Sequence, residues 1–335
     1  MNRKYAFAGV ISVILLGSLG VSVYLATSTT TVVLTELGQI GTGGRAEFVD
    51  VVGDIAYGID GDEVTPGGLV LIDISDPTNP IQLSSWSDGG HPFELDVDGN
   101  FVYVADGFEG LEIMNVTDPE NPSEIAQYDG SGEIYDVQIV GDIAYVADWN
   151  WGLLVLNISN PRTPNLIASR SITGACLHLH VEGNLVYASD HRSEQTGLVV
   201  YNISDPTNPL LVGTYMPDAD IWNPVSNGDY IYAGNHALHG REFLVLNATN
   251  PDDIQDISQY EPGGSVFSIA VIDEVAYLAS YQLGLIVVDV SDVASLTYMG
   301  RFYDGGESYD VCVVGDIIYV ADGPDGLEII QMTMI

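Results

Sequence analysis

His178 and His180 are the clearest metal-ligand candidates in the chain. They are separated by one leucine, and side chains two apart on a β-strand point to the same face. A zinc ion needs three or four ligands in tetrahedral geometry. His236 or His239 could supply another, but the sequence does not show that these residues converge. The metal site is therefore a hypothesis, and no cofactor is expected beyond a cation bound in a central channel.

Polar residues recur at one position of a repeated strand, five residues before the turn residue, glycine in six of the seven copies, that ends the strand. We call the seven residues at this position the channel ring, and six of them are polar: Phe48, Glu94, Asp136, His178, Asn223, Ser268 and Asp310. Because an unpaired polar group in a dry core costs a few kcal/mol, the ring predicts a water-filled channel suited to a cation or a polyol. The alternative is that these groups hydrogen-bond to neighbouring repeats and to channel water.

An aromatic series comes one position before the channel ring. Its members are Phe93, Tyr135, Trp222, Phe267 and Tyr309. Exposed rings in this arrangement could form a stacking platform for a ligand. Packing between neighbouring repeats is the alternative.

Loops on one side of the repeats carry further aromatic, histidine and arginine residues, as a binding face on a rigid scaffold does. The predicted ligand-binding face consists of Trp149, Trp151, His191, Arg192, Trp222, His236, His239 and Arg241. The sequence contains no Ser/His/Asp signature, phosphate loop or nucleotide fingerprint, so we assign no catalytic residue. We expect a binding module, and the alternative is a secreted hydrolase or lyase that uses the channel.

These candidates belong to a repeat of 42 to 46 residues. One tyrosine marks each copy: Tyr57, Tyr103, Tyr145, Tyr187, Tyr232, Tyr277 and Tyr319. A Gly-Leu pair follows in six copies, and the fifth has Glu242-Phe243 instead. A period of this length with several short β segments per copy predicts the blades of a β-propeller.

One copy shows the four strands of a blade: A (Glu94–Asp98), B (Phe101–Ala105), C (Leu111–Val116) and D (Glu124–Tyr128). These runs are rich in β-formers and are bounded by Gly, Pro, Asn and Asp. They are almost continuously apolar, which indicates burial on both faces. We predict an all-β, seven-bladed β-propeller over residues 34–335, with four antiparallel strands per blade and with the D–A and B–C loops on one face.

The two ends of the repeat region complement each other. Leu34–Ile40 matches strand D, and Leu327–Met332 matches strand C. The last blade therefore lacks an outer strand, which the N-terminal strand can supply. This closes the ring and removes two free sheet edges.

Strand C carries a family resemblance. Gly68–Asp73 reads GLVLID, Gly152–Asn157 reads GLLVLN and Gly284–Asp289 reads GLIVVD, and Asp-Pro-x-Asn-Pro follows several copies. With these motifs the chain from Leu34 onward resembles the LVIVD-repeat family, which is associated with bacterial and archaeal cell-surface proteins. The resemblance implies a propeller at the cell surface, and it brings no catalytic motif.

The strongly negative net charge of the chain argues against nucleic acid and anionic lipid as partners. After the first four residues the chain has 47 acidic residues, 6 arginines and no lysine, a formal net charge of −41. Such a surface repels nucleic acid and anionic lipid, so we expect an extracellular protein or glycan as partner. Adaptation to a salty medium would also explain the charge. The two cysteines, Cys176 and Cys312, fall three blades apart and are expected to be unpaired.

The N-terminus predicts export. Residues 1–4 form a basic flank, residues 5–26 are apolar or small without a charge, and residues 27–33 form a polar spacer. About 20 apolar residues span a bilayer, and the basic flank stays in the cytoplasm. Residues 5–26 are therefore predicted to anchor an extracellular propeller in the cell membrane, which is the only membrane contact expected. A cleaved signal peptide and a secreted protein are the alternative.

Four sequons begin at Asn115, Asn157, Asn202 and Asn247, each at the end of strand C. They are glycosylation candidates on the side opposite the predicted binding face. Asp73 and Asp289 occupy equivalent places, so turn capping alone would also explain the position.

Overall fold

The structure is a computed structural model that describes residues 31–61, 67–130, 132–191, 196–216, 221–235 and 242–335. All regular elements in these ranges are β-strands, arranged in seven sheets of four. A search of the same ranges found no helix with the length and apolar character of a membrane span. The predicted anchor at 5–26 lies outside the described residues.

The chain begins with β1 (Val32–Ile40), which belongs to the last blade. The strands of blades 1 to 3 are β2 (Ala46–Val52), β3 (Ile55–Asp60), β4 (Gly68–Asp73), β5 (Ile81–Trp86), β6 (Glu94–Asp98), β7 (Phe101–Asp106), β8 (Gly110–Asn115), β9 (Ser123–Tyr128), β10 (Ile134–Val140), β11 (Ile143–Asp148), β12 (Gly152–Asn157) and β13 (Asn165–Arg170). The strands of blades 4 to 7 are β14 (Leu179–Glu182), β15 (Leu185–His191), β16 (Thr196–Asn202), β17 (Leu210–Tyr215), β18 (Trp222–Asn227), β19 (Tyr230–Gly234), β20 (Phe243–Asn247), β21 (Gln255–Tyr260), β22 (Ser268–Ile272), β23 (Val275–Ala279), β24 (Leu285–Asp289), β25 (Thr297–Phe302), β26 (Asp310–Val314), β27 (Ile317–Ala321) and β28 (Leu327–Met334). Each sheet runs A-B-C-D with antiparallel neighbours, which confirms the predicted fold.

The hydrophobic core of the described chain is divided into seven clusters, one between each pair of neighbouring blades. Leu153 of β12 packs toward blade 4, and the next residue, Leu154, packs toward blade 2. Because successive strand residues point to opposite faces, both faces of strand C are buried, which favours apolar residues along its whole length. Cys176 and Cys312 pack in or against separate clusters as free cysteines, as predicted.

The N-terminal strand closes the ring, which confirms the predicted closure. β1 pairs antiparallel with β28, from Val32 opposite Met334 to Ile40 opposite Leu327. Its register shifts between Glu36 and Gly38, and the outer strands of the other six blades shift at the same place. β1 thus reproduces even the bulge of an ordinary strand D.

The sequon asparagines cap the turn after strand C. Each accepts a hydrogen bond at its Oδ1 from the backbone N–H two residues later, at 2.9–3.0 Å. Asp73 and Asp289 make the same bond to Ser75 and Ser291 at 2.9 Å. Turn capping therefore explains the residue type at this position, and glycosylation stays a prediction.

Candidate functional site

Strand A of each blade is the innermost strand, and the D–A and B–C loops surround one end of the channel. A cavity of about 680 Å³ opens there, a volume that suits a small ligand. Members of the channel ring lie along its floor: Phe48, Glu94, His178, Asn223, Ser268 and Asp310. The alignment of the repeats had predicted that these residues share one level of the channel.

The aromatic series lines the cavity wall. Phe93 stacks on Tyr135 with ring centroids 4.2 Å apart, and the rings of Trp222 and Phe267 meet edge to face at 6.2 Å. Phe267 in turn lies 5.5 Å from Tyr309. The rings therefore pack against one another between blades and also line the cavity, and a stacking platform for a ligand stays a prediction.

The structure describes half of the predicted ligand-binding face. Trp149 and Trp222 line the cavity, and the His191 ring lies 5.3 Å from that of Trp222. Trp151 is 52 % exposed and does not belong to the cavity lining. The other four residues fall outside the described residues: Arg192, His236, His239 and Arg241.

Three ring residues from blades 2, 3 and 4 form a compact polar group, of which Glu94 and His178 line the cavity and Asp136 lies outside its lining. The ligand atoms of Glu94, Asp136 and His178 all lie within 4.8 Å of one another. Glu94 Oε2 is 3.7 Å from Nδ1 of His178, and this nitrogen has no hydrogen-bond partner among the described residues. Sequence reasoning linked His178 to other histidines, whereas the structure places two carboxylates beside it.

Burial disfavours charge in this group. Burial, and next the charge of Asp310, raises the pKa of Glu94 to about 8. Burial also raises the pKa of Asp136 well above its ordinary value and lowers the pKa of His178. Burial thus favours the uncharged forms of these three side chains, whereas a bound cation would favour the ionised carboxylates.

Some ring carboxylates join neighbouring blades, which is the structural role that the sequence left open. Asp136 Oδ2 accepts the backbone N–H of Leu179 at 2.6 Å. Asp310 Oδ2 accepts that of Val49 at 2.9 Å across the ring closure. Glu94 has no equivalent backbone donor among the described residues, so it is the ring carboxylate most available to a ligand.

His180 belongs to a second ring, two residues farther along strand A. Its Nδ1 lies 3.5 Å from Nε2 of Gln138, and the neighbouring Asp96 accepts the backbone N–H of Ile139 at 2.5 Å. No group of candidate metal ligands in the described chain includes His180. The metal hypothesis therefore depends on His178 with its two carboxylates.

The acid at the end of strand B is a feature that sequence reasoning missed. It follows the repeat tyrosine by three residues and is aspartate in five blades: Asp60, Asp106, Asp148, Asp190 and Asp322. Asp148 Oδ1 accepts the backbone N–H of Asn150 at 2.8 Å and of Trp151 at 2.9 Å. These bonds fix the loop that carries both tryptophans. The constant spacing from the tyrosine was the available signal.

The fold and site together define a seven-bladed β-propeller with a candidate binding cavity at one end of its channel. The family profile of the LVIVD repeat matches residues 43–88, 89–130, 131–170, 174–217, 263–304 and 305–331. The protein therefore belongs to the LVIVD-repeat family. The unmatched residues 218–262 include blade 5, the copy that lacks the Gly-Leu pair.

A solved structure shows the same kind of fold. The crystal structure of the computationally designed Ika8 protein aligns with a TM-score of 0.63 at 10 % identity, covering 89 % of this chain and 99 % of that one. At this identity the similarity concerns the fold alone. A search of curated proteins found no match.

Proposed function

We propose that this protein is an exported, membrane-anchored recognition module that binds a small ligand, or an exposed group of a protein or glycan, on its D–A/B–C loop face. The observation that carries the proposal is one cavity of about 680 Å³ with an aromatic wall and an acidic floor. Cavities of this size with a few convergent polar groups are typical ligand sites. The absence of a catalytic signature in the sequence favours binding over catalysis.

The chemistry of the cavity favours an organic cation as ligand. The rings of Trp222 and Phe267 can attract a cation. The ring of Tyr309 already does so with Arg45, whose guanidinium carbon lies 4.8 Å from the ring centroid. Glu94 can supply a full negative charge once its proton is displaced. The net charge of the whole chain adds long-range attraction. A sugar ring stacked on the same aromatics, with its hydroxyl groups on the floor, is the second ligand that fits.

Titration calorimetry of the full-length chain with tetramethylammonium, arginine and neutral monosaccharides tests the site. We expect cation binding that weakens on addition of salt, and that falls by about tenfold or more in Trp222→Ala and in Glu94→Gln. Trp151→Ala is the matched control, since this indole lies outside the cavity lining. Sugar binding that Glu94→Gln leaves unchanged would identify a glycan ligand. Binding that survives Trp222→Ala would place the site elsewhere.

Export and anchoring are supported by the uncharged segment 5–26 ahead of an acidic propeller. We expect the full-length chain in the membrane fraction of its host, with the propeller accessible to antibody added outside intact cells. A chain without residues 1–26 should lose both properties. Recovery of the full-length chain in the cytosol would contradict this part of the proposal.

A metal-dependent hydrolase or lyase is a second candidate function. The observation that favours it is the Glu94, Asp136 and His178 group, whose candidate ligand atoms lie within 4.8 Å of one another, because catalytic zinc sites have three protein ligands. Elemental analysis of the purified chain separates the two functions. A stoichiometric transition metal that is lost in His178→Ala would support the enzyme, whereas a metal-free protein inert on broad substrate panels would support the recognition module.

A further inference from the structure

Blades 2 and 7 each contain a group of three acids outside the channel floor. The groups are Asp88, Asp106 and Glu112 in blade 2, and Asp304, Asp322 and Glu328 in blade 7. Each acid of the blade 7 group follows its counterpart in the blade 2 group by 216 residues, so the two groups occupy equivalent places in the fold. Within each group the candidate ligand oxygens all lie within 4.8 Å of one another.

The glutamates of these groups stand where the fold demands an apolar residue. Glu112 and Glu328 lie in strand C and are 1 % and 2 % exposed. The other five blades have an aliphatic residue at this position: Val70, Leu154, Val199, Leu244 and Ile286. A buried carboxylate in such a place destabilises the fold unless something neutralises it.

The protein itself does not neutralise these carboxylates. Oε2 of Glu112, Oε1 of Glu328 and Oδ1 of Asp106 are buried without a hydrogen-bond partner in the described chain. None of the salt bridges between described residues involves either group. Burial, followed by the charges and hydrogen bonds of neighbouring acids, raises the pKa of Glu112 and of Glu328 to about 9. Apart from His91, which acts on Asp106 in blade 2, neither group has a positive partner among the described residues.

The third acid of each group holds the buried pair open to solvent. Asp88 and Asp304 are exposed, and each is fixed over the group because its Oδ1 accepts a loop N–H, from Gly90 at 2.9 Å and from Gly306 at 3.1 Å. Each exposed acid also shares a side-chain hydrogen bond with the buried glutamate of its group, so every group joins a solvent-exposed carboxylate to buried oxygens.

We propose that each group binds one calcium ion, so that the propeller holds two calcium ions beside its D–A loops. Ligands that are all carboxylate oxygens suit a hard cation, and two oxygens about 2.3–2.6 Å from calcium can lie up to about 5 Å apart. The candidate oxygens of each group lie within 4.8 Å of one another, which falls inside this limit. Magnesium demands near-ideal octahedral geometry and gives up its water ligands reluctantly, so a site built from three fixed carboxylates favours calcium.

Calcium titration of the full-length, chelator-treated chain tests the proposal. We expect two equivalents of calcium by calorimetry, with dissociation constants on the order of 0.1–1 mM as in other extracellular modules, and a rise in Tm of roughly 5 °C at saturation. Glu112→Leu and Glu328→Leu should each remove one equivalent, and the double variant should remove both. Leucine is the residue that blades 3 and 5 use at this position, so the variants should fold.

Three controls separate this site from others. Glu120→Gln, an exposed acid outside the groups, and Glu94→Gln on the channel floor should each retain both equivalents. Asp88→Asn should weaken one site without disturbing the buried pair, which keeps the test valid if a leucine variant fails to fold. The proposal is overturned if the wild-type chain takes up no calcium at about 5 mM, if the double variant retains both equivalents, or if magnesium binds as tightly.

Discussion

Blades 2 and 3 follow one another in the chain, and each is a sheet of four strands in the same order. The two blades differ in the groups that surround the acid at the end of strand B. In blade 3, Asp148 accepts two N–H groups of its own B–C loop, and the neighbouring strand C position is Leu154. In blade 2, Asp106 accepts a backbone hydrogen bond from His91, and the strand C position is Glu112. Asp106 and Asp148 each keep one buried oxygen without a partner in the described chain. Both blades thus supply backbone donors to the first acid, whereas the second acid of blade 2 adds a further buried oxygen, Oε2 of Glu112, without a partner in the described chain.

The largest effect is expected when blade 3 receives the second acid. Leu154→Glu places a carboxylate in the buried strand C position, and it should lower the free energy of unfolding by about 3–5 kcal/mol in chelator, because an uncompensated buried charge is costly. Urea unfolding measures this change. Leu154→Met is the matched control and should cost less than about 1.5 kcal/mol. A loss below 1 kcal/mol for Leu154→Glu would show that the blade tolerates the charge unaided.

Removing the first acid of blade 3 tests the other half of the comparison. Asp148→Ala leaves the loop N–H groups of Asn150 and Trp151 without an acceptor and should cost about 2–3 kcal/mol. Asp148→Asn keeps one acceptor oxygen and should cost less. Chemical unfolding followed by tryptophan fluorescence measures both. Equal losses in the two variants would mean that packing, and not hydrogen bonding, is what Asp148 provides.

Asp310 lies between the cases of Asp148 and Glu112, because it is buried but accepts a hydrogen bond from the backbone N–H of Val49. Burial raises its pKa from 3.8 to about 6, so between these values the folded protein keeps a proton that the unfolded chain has lost. The stability from this group is therefore complete below pH 3.8 and declines as pH rises through about 6, by about 3 kcal/mol. Three other aspartates also have pKa values raised to about 6: Asp96, Asp106 and Asp322. Asp310→Asn should therefore reduce the total decline between pH 4 and pH 7 by the amount that Asp310 contributes, and Glu120→Gln should retain the full decline. Parallel pH profiles for wild type and Asp310→Asn would contradict the buried-proton explanation.

The smallest effect is expected when blade 2 is made to resemble blade 3. Glu112→Leu should raise the free energy of unfolding in chelator by about 1–2 kcal/mol, since apolar replacement of a buried, unpaired acid is often stabilising. Guanidinium unfolding with and without calcium measures it. A variant less stable than wild type in chelator would show that the packing of Glu112 and its hydrogen bond with Asp88 outweigh the cost of burying the acid.

The fold was predictable because each blade repeats its landmarks. The tyrosine and the Gly-Leu pair gave the blade count, and the ends of the repeats gave the closing strand to within two residues, at Val32 instead of Leu34. The same alignment placed Glu94 and His178 at one level of the channel. Because the blades repeat the same sequence landmarks, the strand boundaries of one blade predict those of the next. The faces to which the side chains point then follow from the two-residue period of a strand.

The groupings of side chains were not predictable. Alignment places Glu94, Asp136 and His178 at one level, but the distance between them depends on how the blades are arranged around the axis. Glu112 likewise reads as a single interruption of an apolar strand. Its approach to Asp106 depends on the lateral pairing of β7 with β8, in which Glu112 lies opposite Val104. Contacts across strands and blades are tertiary information that a linear pattern does not contain.

The closing strand also decides how the molecule would respond to mechanical tension. β1 runs from Val32, at the end of the channel away from the cavity, to Ile40 near the cavity mouth, and eight residue pairs hold it to β28. A pull between an occupant of the cavity and the residues before Val32 would act along the strand. It would load all eight pairs in shear and would not peel them apart one by one. A chain tethered by its N-terminus would therefore resist force along its strongest direction.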